Sequence, residues 1–114
     1  MHEMPIVLNV VRTLDYMVEE KNLPPCIRVV VMEIGELASV MPNYFEKCWQ
    51  PAIERTKHLQ NTQLKIELVP GIARCKRCGT EFHIEKNNGY CPNCKVWDWD
   101  TVSGREVNIK EILV

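Results

Sequence analysis

No apolar run in this 114-residue chain approaches the roughly 20 residues needed to cross a bilayer, so no helical membrane span is expected. There is no surplus of either charge. Fourteen Lys and Arg stand against 15 Asp and Glu, a formal net charge of −1. Such a balance provides no long-range field to draw in nucleic acid or an anionic membrane. The opening stretch MHEMPIVLNVVRTLDY lacks a basic leader and soon becomes charged, unlike a secretory signal, so a cytoplasmic protein is expected. Low-complexity linkers are missing, and nothing repeats except two CxxC pairs. No nucleophile, base and orienting group stand out as a set, so the chain does not read as an enzyme.

Hydrophobic residues make up 46% and charged residues 25% of the chain, the composition of a folded globular protein. Its length suits one ordinary domain, or a small core carrying a metal-stapled module.

Val7, Val10, Val11, Leu14, Met17 and Val18 recur at helical spacing between Pro5 and Asn22, with Asn9, Arg12, Asp15 and Glu19 opposite. Pro5 suits a first helical turn, and Asn22-Leu23-Pro24-Pro25 supplies a stop. Residues 26–36, CIRVVVMEIGE, read as a strand ended by Gly35. A second helix is expected from Pro42, with Phe45, Cys48, Trp49, Ala52 and Ile53 on one face and a kink or early end near Gln50, because Pro51 lacks a donor. Leu64, Ile66 and Leu68 alternate in a second strand closed by Pro70-Gly71, and Val107 and Ile109 mark a third. The expected fold is α+β: a three-stranded sheet with two helices on one face, plus an inserted four-cysteine zinc ribbon. The domain boundaries follow: 1–72 and 104–114 form one discontinuous domain, and 73–103 form the ribbon.

Six cysteines can mean a disulfide scaffold, but four of them fall in CKRCGTEFHIEKNNGYCPNC. Cys75-x2-Cys78 and Cys91-x2-Cys94 each form a tight turn that aims two sulfurs at one ion. The intervening GTEFHIEKNNGY reads as a hairpin with Phe82 and Ile84 on one face and its turn at Asn88-Gly89. Four thiolates close a tetrahedron, which suits zinc and leaves no position open for a substrate, so the site is structural. Iron in a rubredoxin-like centre is the rival, decided by colour and metal analysis.

Two other uses of the ribbon compete. Between Arg74 and Asp100 five basic side chains face four acidic ones. A dication on four thiolates adds about −2, which argues against a phosphate-binding stripe. Phe82, Tyr90, Trp97 and Trp99 can stack on bases, but the WDWD run sets two carboxylates among them, so packing is the better use. A thiol redox enzyme would need one exposed, acidified cysteine in a working CxxC pair, whereas both pairs are better used together on one ion. His83 reads as a strand surface residue, His58 as less suggestive still, and Cys26 and Cys48 as small buried residues.

MHEM leading into a helix, a strand ending in EIGEL, a Pro-initiated helix, CKRC…CPNC and a closing SGREVNIKEI together resemble the HypA/HybF family of hydrogenase nickel-incorporation metallochaperones. Ala38-Ser39-Val40 stands where that family often has Ser-Gly-Val. The resemblance implies a nickel-binding domain with an inserted zinc ribbon, and delivery of nickel to the [NiFe]-hydrogenase large-subunit precursor. It implies a HypB-type GTPase as partner, with urease maturation proteins and a second copy of the chain as further partners, and neither nucleic acid nor membrane. His2 becomes the nickel residue, Glu3 a neighbour acting through its backbone or tuning the site, and Cys75, Cys78, Cys91 and Cys94 the zinc ligands.

Coordination chemistry gives position 2 a rationale. The Met1 amine, the His2 amide and the His2 imidazole can chelate one ion through linked rings, and the Glu3 amide can complete a plane. Nickel(II) accepts such a square-planar nitrogen set. Calcium and magnesium, which want oxygen, do not.

Overall fold

The computed structural model describes residues 3–114. In chain order its elements are α1 (Glu3–Glu19), β1 (Val29–Gly35), α2 (Pro42–Ile53), β2 (Gln63–Val69), β3 (Ile72–Cys75), β4 (Glu81–His83), a 3-10 turn (Glu85–Asn87), β5 (Trp99–Ser103) and β6 (Val107–Leu113). They form two three-stranded sheets, ordered β2-β1-β6 and β4-β3-β5. The fold is thus α+β, with two helices, a three-stranded sheet and an inserted four-cysteine ribbon carrying a sheet of its own.

Hydrogen bonds at the strand ends give the directions in the first sheet. Gln63 N–H donates to the Arg28 carbonyl and Glu36 N–H to the Val69 carbonyl, so β1 and β2 run parallel. Arg28 N–H donates to Leu113 and Gly35 N–H to Glu106, so β1 and β6 run antiparallel. Parallel neighbours need a crossover, and α2 supplies it.

The chain divides into two compact units: residues up to Met32 with Ser39–Glu67 and Asn108–Val114, and Glu33–Ala38 with Leu68–Val107. In the first, α1 packs against α2. Val7, Val11, Leu14 and Val18 of α1 are buried, as are Phe45, Trp49, Ala52 and Ile53 of α2. The 3.6-residue period puts each set on one stripe. Val30, Val31 and Met32 are buried in succession, so β1 is covered on both faces there, the expected state of a central strand beside a parallel neighbour.

Several boundaries differ from the sequence expectation. α1 ends at Glu19, before the Asn22–Pro25 stretch. Asn22 N–H donates to the Met17 carbonyl and Lys21 N–H to Val18, the 6→1 and 5→2 pair of a Schellman cap. Lys21 takes the left-handed conformation this cap demands, at φ 63°. A lysine there is strained where glycine is not, so Lys21→Gly is expected to stabilise the protein by about 0.5–1 kcal/mol, read as a higher urea midpoint with an unchanged m-value.

α2 runs through Pro51 to Ile53 rather than ending near Gln50. The ring removes one N–H bond, but Ala52 and Ile53 lie almost fully buried beyond it, at 1% and 2% exposure, and their packing holds the last turn. Cys26 is exposed and Cys48 half-buried, not buried as expected. Cys26 follows Pro24-Pro25 in the loop before β1, and Cys48 sits one position off the stripe defined by Phe45, Trp49 and Ala52.

Among the described residues no helix is long and apolar enough to cross a membrane.

Candidate metal centre

The second unit is built around its cysteines. Cys75 N–H donates to the Thr80 carbonyl, and Gly79 N–H donates back to Cys75. Sixteen residues later the pattern returns: Cys91 N–H donates to Val96 and Lys95 N–H to Cys91. The residue after each second cysteine is left-handed, Gly79 at φ 76° and Lys95 at φ 62°. Two like knuckles therefore face one another.

The four Sγ atoms of Cys75, Cys78, Cys91 and Cys94 lie within 4.8 Å of one another. Cys75 is 3.3 Å from Cys94, and Cys78 is 3.5 Å from Cys91. A tetrahedron with metal–sulfur bonds of about 2.3 Å has edges of about 3.8 Å, within that spread. The donor set fits a four-coordinate, thiophilic dication. Among the described residues no other group of three or more His, Cys, Asp or Glu is gathered this way.

The local electrostatics pull the sulfurs in opposite directions. The Cys78 thiol is pulled down to about 5 by hydrogen bonds from the Thr80 hydroxyl, the Asn93 side chain and the Thr80 backbone. Cys75 is lowered too, chiefly by the Cys78 backbone N–H. Cys94 is pushed up to about 12 by its hydrogen bond with Cys75 and by burial. Four sulfurs at this range must share protons unless a dication replaces them, as a bound metal does.

Around this centre β3 pairs antiparallel with β4, matching Ile72 to His83, Ala73 to Phe82 and Arg74 to Glu81, and pairs with β5 on its other side. The hairpin expected between Gly79 and Tyr90, with its turn at Asn88-Gly89, is therefore displaced. Its turn is the first knuckle, and the chain after His83 instead enters the 3-10 turn, leaving through left-handed Asn88. Phe82 and Ile84 are buried as expected, with Ala73, Cys75 and Cys91. Trp97 touches Tyr90 edge-on at 5.4 Å and lies 5.9 Å from Trp99, whose indole N–H donates to Gly89. Phe82 is buried and Trp99 half-buried in the ribbon, whereas Tyr90 and Trp97 stay exposed.

Both remaining histidines have carboxylate partners. His83 Nε2 lies 2.7 Å from Glu36, whose same oxygen accepts the Gly71 N–H at 2.6 Å. The Glu36 carboxyl is held below its ordinary value mainly by that backbone bond, with His83 adding to it. Lys86 N–H donates to His83 Nδ1, so both ring nitrogens are engaged. His58 Nε2 lies 2.6 Å from Glu19. Neither histidine joins the cysteine cluster.

The expected nickel residues Met1 and His2 lie outside the described residues. Glu3, beside them, opens α1 and is 6% exposed. Its carboxylate accepts the Met41 N–H at 2.9 Å, satisfying the start of α2. Sequence reasoning missed that contact, and a separation of 38 residues leaves no local signal for it.

Four cysteine sulfurs gathered by two like knuckles define a metal-binding protein. The profile described as hydrogenase/urease nickel incorporation, metallochaperone, hypA matches residues 1–114. The chain belongs to the HypA family, one of metallochaperones and not of enzymes. It is 36% identical over 114 residues to the hydrogenase maturation factor HypA of Trichodesmium erythraeum, covering 100% of this chain and 96% of that one. It is 37% identical over 114 residues to the factor of the same name from Trichormus variabilis, at the same coverage. In fold it is similar to the solution structure of the Ni metallochaperone HypA from Helicobacter pylori, with a TM-score of 0.67, 23% identity, and coverage of 98% of this chain and 96% of that one.

Proposed function

We propose that the chain binds Ni(II) through its first residues and hands it over for insertion into the [NiFe]-hydrogenase precursor, while zinc on Cys75, Cys78, Cys91 and Cys94 holds the ribbon in shape. His2 supplies the imidazole, and the Met1 amine and the His2 and Glu3 amides supply the other nitrogens. The observation that carries this reading is the whole-chain match to a nickel-incorporation family. The setting of Glu3 supports it further. Its carboxylate accepts the Met41 N–H, which supports a part in nickel binding through the backbone, with the side chain positioning the segment. The N–H groups of a helix's first turn have no intrahelical acceptor, so using the Glu3 amide leaves the α1 ladder intact.

The work is done in the cytoplasm with a HypB-type GTPase, with urease maturation proteins and a second copy of the chain as further partners. The ribbon, 73–103, acts as an insertion in the discontinuous nickel domain of 1–72 and 104–114. Zinc supplies charge and geometry to four thiolates and no open position for cargo. Nickel capture displaces protons from amine, amide and imidazole, so affinity falls as pH drops, which suits a carrier that must also let go.

His2→Ala is expected to weaken nickel binding by at least about a hundredfold, roughly 2.7 kcal/mol, with zinc content and helical circular dichroism unchanged. Calorimetry on untagged protein reads it. Unchanged nickel affinity in the variant refutes the N-terminal site.

A further inference from the structure

A second polar site lies in the first unit, where β1 and β2 begin. A cleft of about 550 Å³ opens there, lined by Arg28, Lys57, His58, Gln60, Asn61 and Gln63 among others, and no aspartate or glutamate lines it. The two carboxylates nearby are already engaged. Asp15 accepts the N–H groups of Lys57 and His58 at 3.1 and 2.9 Å, and Glu19 holds the His58 ring. Lys57 and Arg28 are exposed, and among the described residues neither forms an ion pair with an aspartate or glutamate. The Arg28 Nε donates to the Val114 carbonyl, leaving its terminal amino groups to act together. In a chain of net charge −1, the lining of this concave surface has two cations and carboxamide donors, with the Asp15 and Glu19 carboxylates set behind Lys57 and His58.

The walls are tied down. Thr62 Oγ1 donates to the Ile27 carbonyl at 2.8 Å, Gln63 N–H to Arg28 at 2.8 Å, and Leu59 N–H to Thr56 Oγ1 at 3.1 Å. The backbone that carries the donors is therefore held in place before any ligand arrives. We propose that this cleft binds phosphoryl groups, with the Arg28 guanidinium taking two oxygens as a fork and the Lys57 ammonium answering the second charge. A doubly charged tetrahedral oxyanion matches two cations and several N–H donors better than a single carboxylate does. The volume admits more than one phosphoryl group.

The test is titration of zinc-loaded, nickel-free full-length protein with inorganic phosphate and pyrophosphate at fixed ionic strength, following backbone and side-chain amide shifts. Saturable shifts centred on residues 57–63, tighter for pyrophosphate, are expected. Arg28→Gln and Lys57→Gln should each weaken binding about tenfold, and both positions are exposed enough to leave the fold unchanged. A nucleoside diphosphate matching pyrophosphate indicates that only the phosphoryl groups are read; tighter binding adds a base contact in the same cleft. Shifts that never saturate, that survive both substitutions, or that citrate reproduces at equal concentration overturn the assignment. Because no nickel is present, the outcome is independent of the nickel reading.

Discussion

Stripping the metal from the cysteine cluster is expected to unfold the ribbon and leave the helices standing. The buried core of the second unit consists of Ala73, Cys75, Phe82, Ile84 and Cys91, so two of its five members belong to the cysteine cluster. What remains, an alanine and two larger side chains, is far too little to order three strands of three to five residues. Structural zinc contributes on the order of 10–16 kcal/mol in small peptides, enough to decide the state of this unit by itself. With the metal gone, half-buried Trp99 is expected to move to water-exposed emission and the amides of β3, β4 and β5 to exchange fast. The far-ultraviolet helical signal from α1 and α2 is expected to persist, since their cores are the buried stripes of the first unit. Metal analysis before stripping is expected to give one zinc per chain and no visible colour, which separates zinc from iron. Returning zinc restores the tryptophan signal. Protected β3–β5 amides in metal-free protein would defeat this account. Cys91→Ser gives the same result by another route, because it removes a ligand and a buried core residue together.

The parts of this fold legible from sequence are those set by periodicity or by covalent spacing. The stripe through Val7, Val11, Leu14 and Val18, the stripe through Phe45, Trp49, Ala52 and Ile53, and the two CxxC turns each declare themselves within a few residues. β3 and β5 do not. IARC is four residues long, and WDTVS carries no clean alternation of apolar and polar residues and has no fully buried member. Both strands exist because a metal-pinned knuckle places them side by side, a constraint that propensity alone does not carry. α2 outlasts Pro51 because tertiary burial outweighs a local rule. The carboxylate contacts are harder still to foresee: Glu3 to Met41 spans 38 residues, and Glu36 to His83 spans 47. Glu36 directly follows the glycine that ends its strand, with no local signal that it joins Gly71 and His83. The nickel residues were legible only through resemblance, for a histidine at position 2 has no periodic or spacing signal of its own.

Gly35→Ala is expected to be among the most destabilising single changes available, at about 4 kcal/mol or more. Gly35 and Gly104 belong to EIGEL and SGRE, two of the motifs that mark the family resemblance, and the structure gives both a mechanical reason. A Cβ on Gly35 would lie 2.0 Å from the Gly104 carbonyl oxygen and 2.2 Å from its carbon. Neither atom can rotate away. That carbonyl accepts the Leu37 N–H at 2.8 Å, while Gly35 N–H is bonded to Glu106 at 2.9 Å, so the two segments are locked at this separation. Gly104 has its own constraint: at φ +98° a side chain there would be strained, and its Cβ would come within 2.6 Å of the Gly71 Cα. Relief therefore demands moving backbone, not a flexible side chain. Gly79→Ala is the control. Gly79 also has a positive φ, +76°, but a Cβ there meets nothing within 4 Å, so the substitution carries only the left-handed penalty of about 1–2 kcal/mol. Urea unfolding of both variants with zinc bound measures the difference. If Gly35→Ala proves no more damaging than Gly79→Ala, the close approach of these two backbones is not what the EIGEL and SGRE glycines are for.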